Sequence, residues 1–283
     1  LRGIEVERIQ HIIDRLVPDN LEQGDYIDDE GYLCCGKCHT RKQCEVEFLG
    51  QMQKVPIMCR CREEAWTASQ KAEEQRKAQK NVEELQRQGM ADKQYLEWTI
   101  DKDDGKNPKV SNIVRKYIER WPEMKDSNTG LLFFGDVGTG KTFYAACIAN
   151  ALVSQGVPVL ITSLPTLISA MNNGGFETGK DTVLKQLMKK PLVIIDDLGI
   201  ERNTEYSFEK IYEVIDTRYK SGLPLIVTTN LTKRELEQPD DIRNKRIFDR
   251  VLEMCAPVMV AGESRRTVKA TQKRKAAREL LGI

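Results

Sequence analysis

The residues most plainly equipped for chemistry stand eight in a row, Gly135-Asp136-Val137-Gly138-Thr139-Gly140-Lys141-Thr142, and they fit the pattern GxxxxGK[ST] without a mismatch. Glycines at those spacings let successive backbone N–H groups wrap a phosphate chain. The helix that follows turns its partial positive end toward the phosphates, and the lysine reaches the outer ones. The Thr142 hydroxyl is then placed to ligate Mg²⁺. Further on, the apolar run Leu192-Val193-Ile194-Ile195 ends in Asp196-Asp197. Carboxylates at the carboxyl end of a buried strand lie where open α/β sheets bind ligands. Asp196 is expected to hold Mg²⁺, directly or through water, and Asp197 to orient and polarise an attacking water. The run at 225–228 ends in Thr228-Thr229-Asn230, whose amide can contact that water or the γ-phosphate. Beyond it come Arg246 and Arg250, one helical turn apart, and then Gly262-Glu263-Ser264-Arg265-Arg266. Two arginine clusters in that order suit charge supplied to a γ-phosphate by a neighbouring subunit and by the same subunit. The set describes a hydrolytic nucleotide site.

A second constellation lies upstream. Cys35-Gly36-Lys37-Cys38 and Cys59-Arg60-Cys61 give CxxC and CxC separated by 20 residues, a spacing suited to a structural zinc ion held by four thiolates. Gly36 permits the tight turn between the first two ligands. Four thiolates leave no position open for water, so a catalytic zinc is not expected. A module of about 30 residues has too little core to fold unaided, and a metal supplies what the core lacks. Cys34, Cys44 and His39 compete as ligands; Cys35 is preferred to Cys34 because it completes the CxxC. Cys147 and Cys255 fall within apolar helical patterns and read as buried thiols.

These side chains need elements to hold them. Residues 4–17 read as a short amphipathic helix ending before Pro18. Residues 62–88 carry six bases and six acids, no Gly or Pro, and the pairs Glu73/Lys77 and Glu83/Arg87, which predicts a solvated linker helix about 40 Å long that ends at Gly89. After a polar, turn-rich stretch at 101–107 the pattern changes. Short apolar runs at 131–134, 157–162, 192–195, 225–228 and 258–260 alternate with amphipathic helical stretches, one of them at 241–255. That alternation predicts a parallel sheet flanked by helices. The expected organisation is an N-terminal helix plus zinc module at 1–61, a linker at 62–99 and an ATPase domain at 100–283.

Composition bounds the partners. The 283 residues hold 44 Lys+Arg against 43 Asp+Glu, a formal net charge of +1, with 40% hydrophobic residues. That balance excludes a disordered chain and an argument from bulk charge. The total conceals a division. The first 33 residues hold nine acids and three arginines, whereas residues 265–278 hold seven bases and no acid. An acidic start suits a protein partner; a basic end can track a nucleic-acid backbone irrespective of sequence, although it can equally be a solvated face. No stretch approaches the roughly 20 apolar residues of a membrane span, and the N-terminal apolar cluster, broken by Asp14 and Arg15, lacks a signal pattern. A cytoplasmic location, with reduced thiols and no membrane partner, is the expectation.

From about residue 100 onward the chain resembles the AAA+ ATPases of the DnaC/DnaI/IstB group. The ordered set GDVGTGKT, LVIIDDLG, VTTN, RIFDRVLEMC and GESRR is most similar to DnaC-type helicase loaders. The resemblance implies a P-loop fold and assembly into a ring or spiral with ATP between subunits. It places the water-contacting sensor at Asn230, the trans-acting arginine finger at Arg250 with Arg246 as the other candidate, and the second sensor at Arg266. The usual catalytic glutamate of the wider AAA+ class is Asp197 here, as is common within the loader group, and the shorter side chain suits a switch with slow turnover. Members with an N-terminal zinc module carry a similar CGKC-HT stretch, and that module is the part expected to touch the replicative, DnaB-type helicase while single-stranded DNA engages the ATPase. Two other functions fit the same motifs: an IstB-type transposition helper, and a zinc-stabilised adaptor that binds nucleotide without appreciable hydrolysis.

Overall fold

In the computed structural model the chain is described over residues 22–48, 50–90, 92–173, 178–199 and 205–282. The helix expected at 4–17 lies outside these. The chain divides into two units, Leu1–Ala78 and Gln79–Ile283.

The first unit contains two small antiparallel pairs. Strands β1 (Tyr26–Ile27) and β2 (Leu33–Cys34) pair Tyr26 with Cys34, and β3 (Gln43–Phe48) and β4 (Gln51–Pro56) pair Gln43 with Pro56 through to Phe48 with Gln51. The second hairpin occupies most of the spacer between the two cysteine pairs and folds them back on each other. Helix α1 (Arg60–Gly89) follows without interruption. Glu73 pairs with Lys77 as its spacing implies, but Arg87 turns to Glu84 at 2.7 Å while Glu83 accepts from Gln79. Both i,i+3 and i,i+4 neighbours are in reach on a helix face, and Arg87 takes the nearer one.

The second unit is a five-stranded, all-parallel sheet in the order β6-β7-β8-β5-β9. Its strands are β5 (Gly130–Phe134), β6 (Val159–Ser163), β7 (Leu192–Asp196), β8 (Leu225–Thr229) and β9 (Cys255–Met259). The central strands are apolar throughout because helices cover both faces. Alternation within each strand then divides the core: Leu131, Phe133, Ile194 and Ile226 face one layer, and Leu132, Phe134, Val193, Ile195 and Val227 the other. The first layer packs on α3 (Pro108–Glu119) and α5 (Lys141–Ser154). The second packs on α6 (Leu164–Asn173), α7 (Thr178–Lys189), α8 (Glu205–Ser221) and α10 (Ile242–Met254). The remaining helices are α2 (Lys93–Leu96), α4 (Trp121–Asp126), α9 (Lys233–Glu237) and α11 (Arg265–Leu281).

Two strand starts differ from expectation by two residues or more, each for a physical reason. Strand β6 starts at Val159, not 157, since Pro158 has no N–H to give the ladder and the Val157 N–H caps α5 through Leu152 O. Strand β9 starts at Cys255, three residues early, and admits Pro257 because it lies at the edge of the sheet. Cys147 and Cys255 are buried as expected, although Cys255 opens β9 instead of lying on a helix, and burial pushes the Cys147 thiol up to about 12. Arg218 is wholly buried, with no carboxylate partner among the described residues: its guanidinium donates to the carbonyls of Leu187, Lys190, Pro191 and Pro224, tying the end of α7 to the approaches of β7 and β8. Burial lowers its pKa to about 10.

Candidate nucleotide site and cysteine centre

Strand β8 lies between β5 and β7, so three parallel strands deliver the phosphate loop, the carboxylates and Asn230 to one edge of the sheet. The loop is shaped by Gly135, Gly138 and Gly140, all at positive φ (129°, 83° and 105°). Two of these glycines meet a second demand. A Cβ at Gly138 would strike the Ser264 side chain, and one at Gly140 would strike the Arg265 guanidinium. The Arg265 N–H also donates to Gly138 O at 2.9 Å, and its guanidinium is held by Asp104 at 2.7 Å. Ser264 and Arg265 therefore brace the loop from behind, a role the sequence did not advertise.

Lys141 is buried, and its ammonium donates to the carbonyls of Gly135 (2.7 Å) and Asp136 (2.6 Å). Burial lowers its pKa, while Asp197, Asp136 and Asp196 work in the opposite direction and Arg266 adds to the lowering. Those influences place both strand-end carboxylates and Arg266 within electrostatic reach of the lysine. Thr139 closes the loop by donating to Asp136 O, Val137 is exposed at its tip, and Thr142 follows Lys141 in the first turn of α5.

The carboxylates form a connected set. Asp196 Oδ1 accepts from the Thr228 hydroxyl at 2.6 Å, the same hydroxyl oxygen accepts the Asp197 N–H at 2.8 Å, and the Asn230 amide donates to Asp197 Oδ1 at 2.8 Å. Asp196 Oδ2 lies 3.4 Å from the Tyr95 hydroxyl, whose pKa burial and the neighbouring Asp196 push up to about 12. Tyr95 was not singled out in the sequence. It is set in place by Asn150 of α5, which donates to the carbonyls of Tyr95 and Trp98. Oxygen ligands from Thr142 and Asp196 beside a phosphate loop are the donor chemistry a Mg²⁺ ion requires.

The arginines are distributed differently. Arg266 is exposed at the start of α11. Arg250 is engaged within its own chain: it pairs with Asp216 at 3.0 Å, donates to the Tyr212 hydroxyl at 2.8 Å and lies over the Tyr212 ring, and its Nε is buried without a hydrogen-bond partner among the described residues. Arg246, one turn earlier, has an exposed side chain with no partner among the described residues.

In the first unit, Cys35, Cys38, Cys59 and Cys61 come together with all four Sγ atoms within 4.8 Å of one another. The Cys59–Cys61 and Cys35–Cys61 separations are 3.4 and 3.7 Å. Four sulfurs at about 2.3 Å from a tetrahedral zinc lie about 3.8 Å apart, so the cluster fits that ion. Cys34 turns instead to Asp28, Cys44 lies in β3 opposite Val55, and the His39 ring faces Tyr26. The Cys38 thiol is lowered to about 5 by the Thr40 hydroxyl and the Cys61 backbone N–H, whereas Cys61, beside three other sulfurs, is raised to about 12. A divalent cation would displace that last proton. Beneath the turn, buried Asp25 accepts from the Gly36 N–H at 3.0 Å and pairs with buried Lys42 at 2.5 Å. A Cβ on Gly36 would strike Gly24 O, so the turn requires a residue without one.

Comparison with known proteins gives a consistent picture. Residues 116–276, more than half of the chain, match the model of the family described as IstB-like ATP binding protein. The replicative helicase loader DnaC of Escherichia coli K12 is 31% identical over 142 residues, 49% of this chain and 55% of that protein. The replicative helicase loader DnaI of Bacillus subtilis is 25% identical over 167 residues, 56% of this chain and 52% of that one. The chain thus spans about half the length of these curated relatives. A crystal structure of the DnaC helicase loader superposes with a TM-score of 0.51 at 23% identity, covering 60% of this chain and all of that one, a likeness of fold.

Proposed function

We propose that this chain, which belongs to the IstB-like ATP-binding family, is an ATP-dependent loader that places a DnaB-type replicative helicase on single-stranded DNA. The observation that carries the ATPase part is the hydrogen-bonded set Asp196-Thr228-Asp197-Asn230, standing within electrostatic reach of buried Lys141. Lys141 and the loop N–H groups bind the phosphates, and Asp197, fixed by Asn230, orients water for in-line attack. Bound Mg²⁺, held by Thr142 and Asp196, supplies charge neutralisation on the phosphates. Arg266 acts within the subunit. Arg250 or the more accessible Arg246 acts on a neighbour's nucleotide in a ring or spiral. The helicase-loading part is supported by the names of the DnaC and DnaI relatives, and the cysteine unit, as a zinc-stabilised module, is the helicase grip. The exposed side chains of Lys273, Arg274, Lys275 and Arg278 on α11 offer a surface for DNA phosphates.

A Lys141→Ala variant should lose nucleotide turnover, measured with and without single-stranded DNA; wild-type turnover no higher than the variant's would sink the enzyme reading. Co-purification with a DnaB-type helicase tests the partner. The complex should be lost when residues 1–61 are deleted, and retention would reassign the grip. A transposition helper remains a second reading because an insertion-sequence ATP-binding protein of Mycobacterium tuberculosis is 24% identical over 58% of this chain. It predicts no helicase complex at all.

A further inference from the structure

Thr40 stands beside the cysteine centre without being a ligand, and three bonds converge on it. Its backbone carbonyl accepts the Cys35 N–H at 2.9 Å. Its hydroxyl oxygen accepts the backbone N–H of Arg60 at 3.0 Å, and Arg60 is the residue between Cys59 and Cys61. The same hydroxyl lies 3.0 Å from Cys38 Sγ. A metal-bound Cys38 is a thiolate with no proton to give, so in the metal-bound centre the Thr40 hydroxyl donates to the sulfur while its oxygen accepts from Arg60. His39, at φ 55°, makes the left-handed step that turns the chain back and sets Thr40 against the cluster.

We infer that Thr40 is a positioning residue of the metal centre: its hydroxyl binds the Cys38 thiolate and the segment between the second ligand pair at once, fixing the two halves in a zinc-holding geometry. This inference rests on the reading of the four cysteines as a zinc site. A Zn²⁺ ion with four thiolates carries a net charge of −2, and a hydroxyl–thiolate bond spreads part of that charge away from sulfur. Thr40 touches both halves: its hydroxyl meets Cys38 Sγ in the first and the Arg60 N–H in the second. Loss of an outer-shell partner of this kind typically weakens metal binding 10- to 100-fold.

The test uses the full chain. Zinc content is measured first; a wild-type chain that does not retain about one zinc would end the metal reading itself, before any variant is made. Zinc affinity is then compared by competition with a chromophoric chelator for wild type, Thr40→Val, Thr40→Ala and Thr40→Ser. The expected result is a loss of about 10- to 100-fold for both Val and Ala, with Ser within about threefold of wild type. Val and Ala variants that hold zinc within threefold of wild type would overturn the inference while leaving the zinc site standing. Cobalt absorption separates weak binding from failure to assemble: the Val and Ala variants should still reach a four-thiolate spectrum at saturating Co²⁺. Complete failure of both to assemble supports the same role if Ser assembles, and failure of Ser as well assigns the effect to something other than the hydroxyl.

Discussion

Asp197 stands where the wider AAA+ class carries a glutamate, so this chain has one methylene less there, and the backbone supplies a reason. Its φ is +56°, in the left-handed region. That region costs most side-chain-bearing residues about 1 kcal/mol or more, and Asp and Asn enter it most readily. A short carboxylate therefore suits the turn after β7, and Asn230 registers it at 2.8 Å. Asn tolerates the same backbone, so Asp197→Asn isolates the charge from the fold. Turnover should fall by about 100-fold or more, the range of a lost general base, while nucleotide affinity and melting temperature stay near wild type. An unchanged turnover in a single-cycle assay would remove Asp197 from the chemistry.

At the scale of elements, Gly89 shows two local rules in opposition. Glycine at the end of a 30-residue helix reads as a stop signal, and replacing it with Ala should gain about 1 kcal/mol of helix propensity. Yet a Cβ there would run into the Val159 carbonyl at the start of β6, against which the chain passes before Met90 bridges to Ile161. Overpacking against immovable backbone costs about 1–3 kcal/mol, more than propensity returns. Gly89→Ala is therefore expected to lower the stability of the ATPase unit by about 1–2 kcal/mol in a denaturant titration; a rise would show that the helix end gives way freely. The phosphate loop, the carboxylate strand and the alternation behind them were legible because each is local and strongly patterned. The β3–β4 hairpin was missed although Gln43–Phe48 alternates polar and apolar side chains and Gly50, at φ 80°, marks the turn; the run is short and largely exposed, and no apolar partner run follows to mark a sheet. Tyr95 and Arg265 escaped because their meaning lies in contacts with Asp196 and Gly140, 101 and 125 residues away in the chain.

Over the whole molecule, the two units are held together internally by different means, and metal removal should separate them. Among the described residues, nearly all buried apolar side chains belong to the second unit; in the first they are Cys34, Cys35 and Cys59, all thiols beside or within the cysteine cluster. Apolar burial on that scale does not offset the entropy of ordering the described residues, and a cation held by four thiolates would supply the missing stabilisation. The Asp25–Lys42 pair cannot substitute, because a buried ion pair brings a desolvation cost comparable to its attraction. Chelation of the full chain should therefore abolish hydrogen-exchange protection of the β3–β4 ladder and the Cys35–Thr40 turn. Amides of β5, β7 and β8 should keep theirs, nucleotide affinity should be unchanged, and added zinc should restore the lost protection. Protection of β3–β4 that survives stoichiometric metal removal would show that the hairpin stands without the cysteine centre, and would leave zinc no structural task in this unit.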